Sequence, residues 1–350
     1  MRSTQRLFAL LALTVGLAGC SPFFVLRAGY EEAKILSRRQ SIARLVQDEE
    51  VPVETRRKLE LVLQVRQFAI DSLQLNVGDS YTTFSQLDSD TLALVLSAAR
   101  KDSFEPYTWW FPITGRVPYR AFFSEESAAK AVASLESRGF DTYVRPTSAF
   151  STLGWFNDPL VSSLLRYDSI SLANTVVHEV FHNTLYLSGQ AIFNESLAQF
   201  VGARGAIAFF CNAVPDPALC RTADLSWQDE MRFGGFLSGL VQQLERLYSR
   251  PDLSAEQKIL LREQIFREAQ MQFADVLRPQ FRAMSFSSFV RTPLNNASLI
   301  ARRIYYERLD LFEAVYQQSG RDLLLTIQRI IEAAEGNPDD PYGAVGQLLE

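Results

Sequence analysis

Both histidines of the 350-residue chain fall within five consecutive residues, His178-Glu179-Val180-Phe181-His182. No other feature constrains the fold as tightly, because two imidazoles four residues apart meet one partner when the segment is an α-helix. Positions i and i+4 share a helix face, so two ring nitrogens can reach one ion at about 2.0–2.1 Å. Glu179 is turned about 100° from His178, beside such an ion without ligating it, where a general base for an attacking water must sit. Leu172, Val176, Val177, Val180, Phe181 and Leu185 supply the buried faces of that helix, and Ser188-Gly189 is its expected end.

Two histidines need a third ligand. Glu195 is the candidate, in Phe193-Asn194-Glu195-Ser196-Leu197-Ala198-Gln199-Phe200. A turn at Gly189 lets a second helix run back beside the first and bring Glu195 to the open side of the ion. Two His and one Glu with a fourth position left open is the layout of a catalytic zinc site, so the expected cofactor is one Zn2+ per chain. The plainer readings are a hydrogen-bonded core histidine pair, and for Glu195 a helix N-terminal acid favoured by the dipole. The absence of any other histidine and the helical setting favour the metal. The chemistry implied is peptide hydrolysis, with Glu179 taking a proton from water and passing it to the leaving amine.

The N-terminus is read as an export address. Arg2 and Arg6 precede an apolar run from Leu7 to Leu17, broken only by Thr14 and Gly16. The run is too short for the roughly 20 residues a spanning helix takes, and it fits a signal peptide over residues 1–19. Leu17-Ala18-Gly19-Cys20 resembles a bacterial lipobox, which implies lipidation of Cys20 and a membrane anchor. Ser21 as the second mature residue, by similarity to Gram-negative lipoproteins, implies the outer membrane, facing the periplasm. Cys211 and Cys220 flank Pro215 and Pro217, and an oxidising compartment favours a disulfide between them. No CxxC pair is present, which argues against a zinc ribbon. Lys+Arg 35 against Asp+Glu 40 gives a net charge of −5, without the basic footprint that nucleic acid requires.

The expected fold is α+β and mostly helical: a core that, through its His-Glu-x-x-His helix, resembles the zincin metalloproteases (a zincin-like core), with a small mixed sheet, wrapped by helices. After the signal peptide come an N-terminal helical region (20–103), the catalytic core (104–225) and a C-terminal helical region (226–350). Glu31–Gln47 is amphipathic, and Val53–Leu75 carries an apolar stripe interrupted at Arg66. Aromatics alternating with Pro112, Gly115 and Pro118 suggest short strands. Ser124–Gly139 reads as a capped helix and Phe140–Phe150 as one or two strands. Ser226–Arg250, Ser254–Arg278, Ala297–Ser319 and Arg321–Ala334 read as helices.

With the His-Glu-x-x-His motif and the following Asn-Glu-x-x-Ala-type segment, the chain resembles the gluzincin metallopeptidases. More closely it resembles the putative aminopeptidase family of bacterial lipoproteins, through Arg66-Gln67-Phe68-Ala69, Trp110-Phe111-Pro112, Tyr119-Arg120-Ala121-Phe122-Phe123-Ser124, Ser151-Thr152-Leu153-Gly154-Trp155-Phe156 and Asn295-Asn296-Ala297. The resemblance implies zinc held by His178, His182 and Glu195, with Glu179 as base. Two features depart from the better-known gluzincin branches. Only twelve residues separate His182 from Glu195, and no GxMEN motif is present to hold a free amino terminus. Peptidase is therefore the activity implied, on a peptide or protein substrate. Thr147–Gly154 lies where an edge strand would pair with extended substrate. Tyr186, Tyr305 and Tyr306 are further candidates, with packing as their plainer role. The competing reading is a non-catalytic envelope binding or assembly lipoprotein that keeps the fold.

Overall fold

Residues 33–88, 93–111, 115–147 and 157–350 are described by the computed structural model of the chain. The lipobox, the string Ser151–Phe156 and nearly all of Thr147–Gly154 lie outside them. The chain is mostly helical with small sheets, an α+β class. No helix among the described residues is long and apolar enough to cross a membrane.

The N-terminal part holds β1 (Gln40–Ser41), α1 (Ile42–Gln47), α2 (Val53–Asp71) and β2 (Thr83–Ser85). The amphipathic stretch expected as one helix to Gln47 is broken at β1, where Gln40 and Ser41 pair with Phe84 and Thr83. In α2 the buried residues Leu59, Val62, Val65, Phe68 and Ala69 recur at helical spacing. Arg66 does not end the stripe. It stays helical and its guanidinium donates to the carbonyls of Ser80 (3.0 Å) and Gly78, tying down the loop that follows.

The expectation of helix up to residue 103 fails at β2 and at β3 (Ala93–Arg100). Ala-Leu-Val-Leu-Ser-Ala-Ala has no period of its own and is buried on both faces, so periodicity cannot separate strand from helix. Pairing decides. After β4 (Trp109–Phe111) and β5 (Gly115–Val117), which pair with each other, come β6 (Tyr119–Phe122), α3 (Glu125–Glu136) and β7 (Phe140–Thr147). β3 is the centre of an antiparallel sheet ordered β6-β3-β7. Ser124 caps α3 by accepting from the Ser127 amide, and Gly139 turns the chain out of it at φ +82.

β8 (Leu160–Val161) pairs parallel to β2. It leads into α4 (Ser169–Phe181), capped by Asp168, and α5 (Ala191–Ala208). These two helices lie side by side because α5 offers glycines at the crossing. A Cβ on Gly202 would stand 2.8 Å from the Asn174 carbonyl oxygen and 3.1 Å from His178 Cβ, and one on Gly205 2.9 Å from Val177 Cγ1.

A π-helical turn, Phe209–Ala213, then passes to α6 (Pro217–Tyr248), with Cys211 and Cys220 joined by a disulfide across the junction. α6 starts well before the expected Ser226, since Asp216 accepts from the Ala218 and Leu219 amides and Pro217 occupies the first turn. α7 (Ala255–Gln272) carries the Ser254–Gln257 capping box. After α8 (Ser288–Arg291), the expected helix Ala297–Ser319 divides into α9 (Asn296–Tyr306) and α10 (Leu309–Gln318), because Arg308 turns left-handed at φ +50. α11 (Leu323–Gly336) and α12 (Pro341–Gly346) follow. The main apolar cluster joins α2, α4, α5, α10 and α11, and a second one joins α6, α7 and α9.

Candidate metal centre

His178 lies in the last turn of α4 and His182 is its C-cap, with helical dihedrals (φ −61, ψ −21) that keep its side chain in phase. The two rings meet edge to face at 5.1 Å between centroids. The helix stops here rather than at Ser188-Gly189, because the next residues find other partners. Asn183 donates to Ser80 Oγ (3.2 Å) and Val77 O (3.4 Å), and Thr184 Oγ1 accepts from the Asn76 amide (2.9 Å). Asn194 then grips both polar groups of Leu187, accepting from its amide at 3.0 Å and donating to its carbonyl at 2.8 Å. Gly189, at φ +81, completes the reversal into α5.

That reversal delivers Glu195. Its Oε2 stands 3.3 Å from His178 Nε2 and 3.9 Å from His182 Nε2. Two ligands at about 2.0–2.1 Å on tetrahedral axes lie about 3.4 Å apart, so these separations fit one ion. One ligand atom from each of His178, His182 and Glu195 falls within 4.8 Å of the others, and the group can hold a metal ion. Both histidines are buried. His182 Nδ1 has no hydrogen-bond partner among the described residues, which leaves that ring oriented by packing and by whatever Nε2 binds.

The electrostatics suit a cation. Burial pushes the His182 imidazole down to about 4, so it is neutral and free to ligate at neutral pH. Burial also works against charge on His178, but the Glu195 bond and the charges of Glu179, Glu195 and Glu230 override it and raise its pKa. For Glu195, burial is outweighed by the His178 bond and by the charges of both histidines and Arg145, so its carboxyl is held below the usual range. Glu179 is pushed up to about 7, by burial first and then by the charges of Glu195 and Asp158, against the pull of His178. A carboxyl poised there exchanges protons near neutrality.

Several residues at the site carried no functional signal in the sequence. Tyr119, on β6, reaches Glu195 Oε1 at 3.5 Å. Arg145, on β7, donates from Nη2 to Tyr305 Oη at 2.9 Å, and Tyr305 lays its ring 6.1 Å from that of His178. Glu230, on α6, is buried, takes a hydrogen bond from Gln199 (2.7 Å) and is pushed up to about 7 by that burial. Tyr81 holds a left-handed backbone (φ +60) and feels the charges of Glu179 and Asp158. Each comes from an element distant in sequence; the strand alternation that puts Tyr143, Arg145 and Thr147 on one face of β7 was the one available hint.

Among the tyrosines that were singled out, Tyr305 faces His178, whereas Tyr306 packs on Phe233 at 5.2 Å, away from the ligand group. Tyr186 lies near enough for its charge to act on Tyr119. Asn295 and Asn296 hold structure: Asn295 caps α9, and Asn296 donates to the carbonyls of Arg100 (2.9 Å) and Ser103 (3.1 Å), docking that helix on the end of β3.

A profile of the family described as "Putative aminopeptidase" matches residues 23–340. The chain belongs to that family. Membership suggests a peptidase, and the matched span takes in the whole ligand group. No curated protein and no solved structure matches the chain.

Proposed function

We propose that the protein is a zinc metallopeptidase of gluzincin type, exported and anchored through lipidated Cys20 to the outer membrane, facing the periplasm. The observation that carries the catalytic part is the convergence of His178, His182 and Glu195 on one point, with an ionisable Glu179 beside them. Zinc, when bound, acts as a Lewis acid on the scissile carbonyl and makes water a better nucleophile near neutral pH. The chain's own residues do the rest. His178, His182 and Glu195 hold the ion, and Gly202 lets α5 approach closely enough to present Glu195. Glu179 accepts the proton of the attacking water and returns it to the departing amine. The Tyr305 oxygen accepts from Arg145, and its own proton remains a donor beside His178, whose ring stands 6.1 Å from that of Tyr305.

Elemental analysis of the purified protein tests this reading, alongside His182→Ala and Glu195→Ala. One zinc per chain, lost in both variants, is the expected result. No zinc under metal-replete conditions refutes it, and zinc kept by the Glu195 variant moves the third ligand elsewhere. Glu179→Gln should keep the metal and lose peptide hydrolysis by about 10²-fold or more. Unchanged function in cells carrying that variant would instead favour a binding or assembly lipoprotein.

A further inference from the structure

Arg145 is an unusual cation for its position. Arg204, Arg262 and Arg303 engage carboxylates, those of Glu313, Asp141 and Glu307, and Arg302 donates to the carbonyls of Ser298 (3.0 Å) and Ser288 (3.4 Å). Arg145 makes no ion pair among the described residues, and its hydrogen-bond partner is the neutral phenol of Tyr305. A guanidinium carries five donors in a planar fork, and this one is half-buried with a single donor engaged among the described residues. Its cation also lies 5.5 Å from the centre of the Tyr305 ring, whose other contact is His178. It therefore stands in the wall of the metal centre, one aromatic ring from a ligand. Its charge reaches Glu195 and Tyr119. Glu195 is not available as its counter-ion, because that carboxylate is turned to the two histidines.

We propose that Arg145 forms a carboxylate-binding subsite beside the metal centre and there holds a carboxylate of the peptide. Bidentate pairing to a carboxylate is what the free fork is shaped for. The span of one aromatic ring is covered by one to three residues of extended chain at about 3.5 Å each. The carboxylate thus belongs to the C-terminal α-carboxyl of a short peptide or to an acidic side chain just beyond the scissile bond. Calling the ligand a substrate rests on the peptidase reading; the subsite itself does not.

The test is calorimetric binding to the full chain carrying Glu179→Gln, so that bound peptide is not consumed, with and without zinc. The probes are trialanine, trialanine amide and Ala-Glu-Ala amide. The free acid should bind about tenfold or more tightly than its amide, the scale of a charge-assisted pair. That preference should vanish with Arg145→Gln, persist in part with Arg145→Lys and survive Tyr305→Phe, which removes the hydroxyl and keeps the guanidinium. A gain for Ala-Glu-Ala amide in place of trialanine, again lost with Arg145→Gln, assigns the subsite to an acidic side chain. Equal binding of the three probes, no binding of any, or a preference that survives Arg145→Gln overturns the proposal. Thermal unfolding and zinc content matching the parent show that the Arg145 variants are folded. Failure of the peptidase reading looks different: the preference depends on Arg145, yet the protein with Glu179 intact cleaves no peptide.

Discussion

At the scale of single residues, the centre concentrates carboxyls that burial pulls in different directions. Glu195 is kept charged chiefly by its bond to His178, while Glu179 and Glu230 are pushed up to about 7. A raised carboxyl has a consequence for stability. Below its ordinary value of 4.5, Glu230 is protonated in the folded and unfolded chains alike. Between 4.5 and about 7 the unfolded chain releases that proton and the folded one keeps it, so stability falls as pH rises. Above about 7 the loss is complete, at about 3 kcal/mol by the pKa difference. Glu230→Gln removes the titrating group while leaving an oxygen to accept from Gln199. Urea unfolding of metal-stripped protein should show the variant close to the parent at pH 4.5 and about 3 kcal/mol more stable at pH 8. The same difference at both pH values would contradict this.

At the scale of elements, the centre depends on how closely α4 and α5 cross. Gly202 faces Asn174 and His178, about two turns and one turn back from the cap, so a methyl group there has no space. Gly202→Ala should push α5 outward, costing about 1–3 kcal/mol as overpacking does and drawing Glu195 off the histidines. The readouts are the unfolding midpoint and zinc affinity, and both should fall. Zinc affinity unchanged at reduced stability would mean that the crossing has room to adjust without moving Glu195. The helical positions of His178 and His182 were legible from their spacing, because the i to i+4 geometry is local. The end of α4 was not: Asn183 and Thr184 leave the helix for partners in the 76–80 loop, and Asn194 of α5 holds Leu187. β3 was misread for a related reason, since a strand buried on both faces carries no alternation.

At the scale of the molecule, the reading joins an envelope address to a buried catalytic group. If Cys20 carries the anchor, Cys20→Ala should move the protein from the membrane fraction to the soluble fraction without changing its zinc content, as seen by fractionation and elemental analysis. Retention of the variant in the membrane fraction would remove the lipid anchor from the account. The body of the protein has no helix, among the described residues, that would itself span a bilayer.

By itself the sequence determined what local geometry can carry: two histidines on one helix face, a glutamate beside them, a reversal at Gly189 and a cap at Ser124. It also supplied Glu195, because a short turn between two helices leaves few places for the second to go. Only the tertiary structure decided the remaining wall of the site. Tyr119, Arg145, Glu230 and Tyr305 come from β6, β7, α6 and α9, and they meet through strand pairing and helix packing. No periodicity within a segment encodes which distant segment it will touch. That depends on how the buried faces fit together.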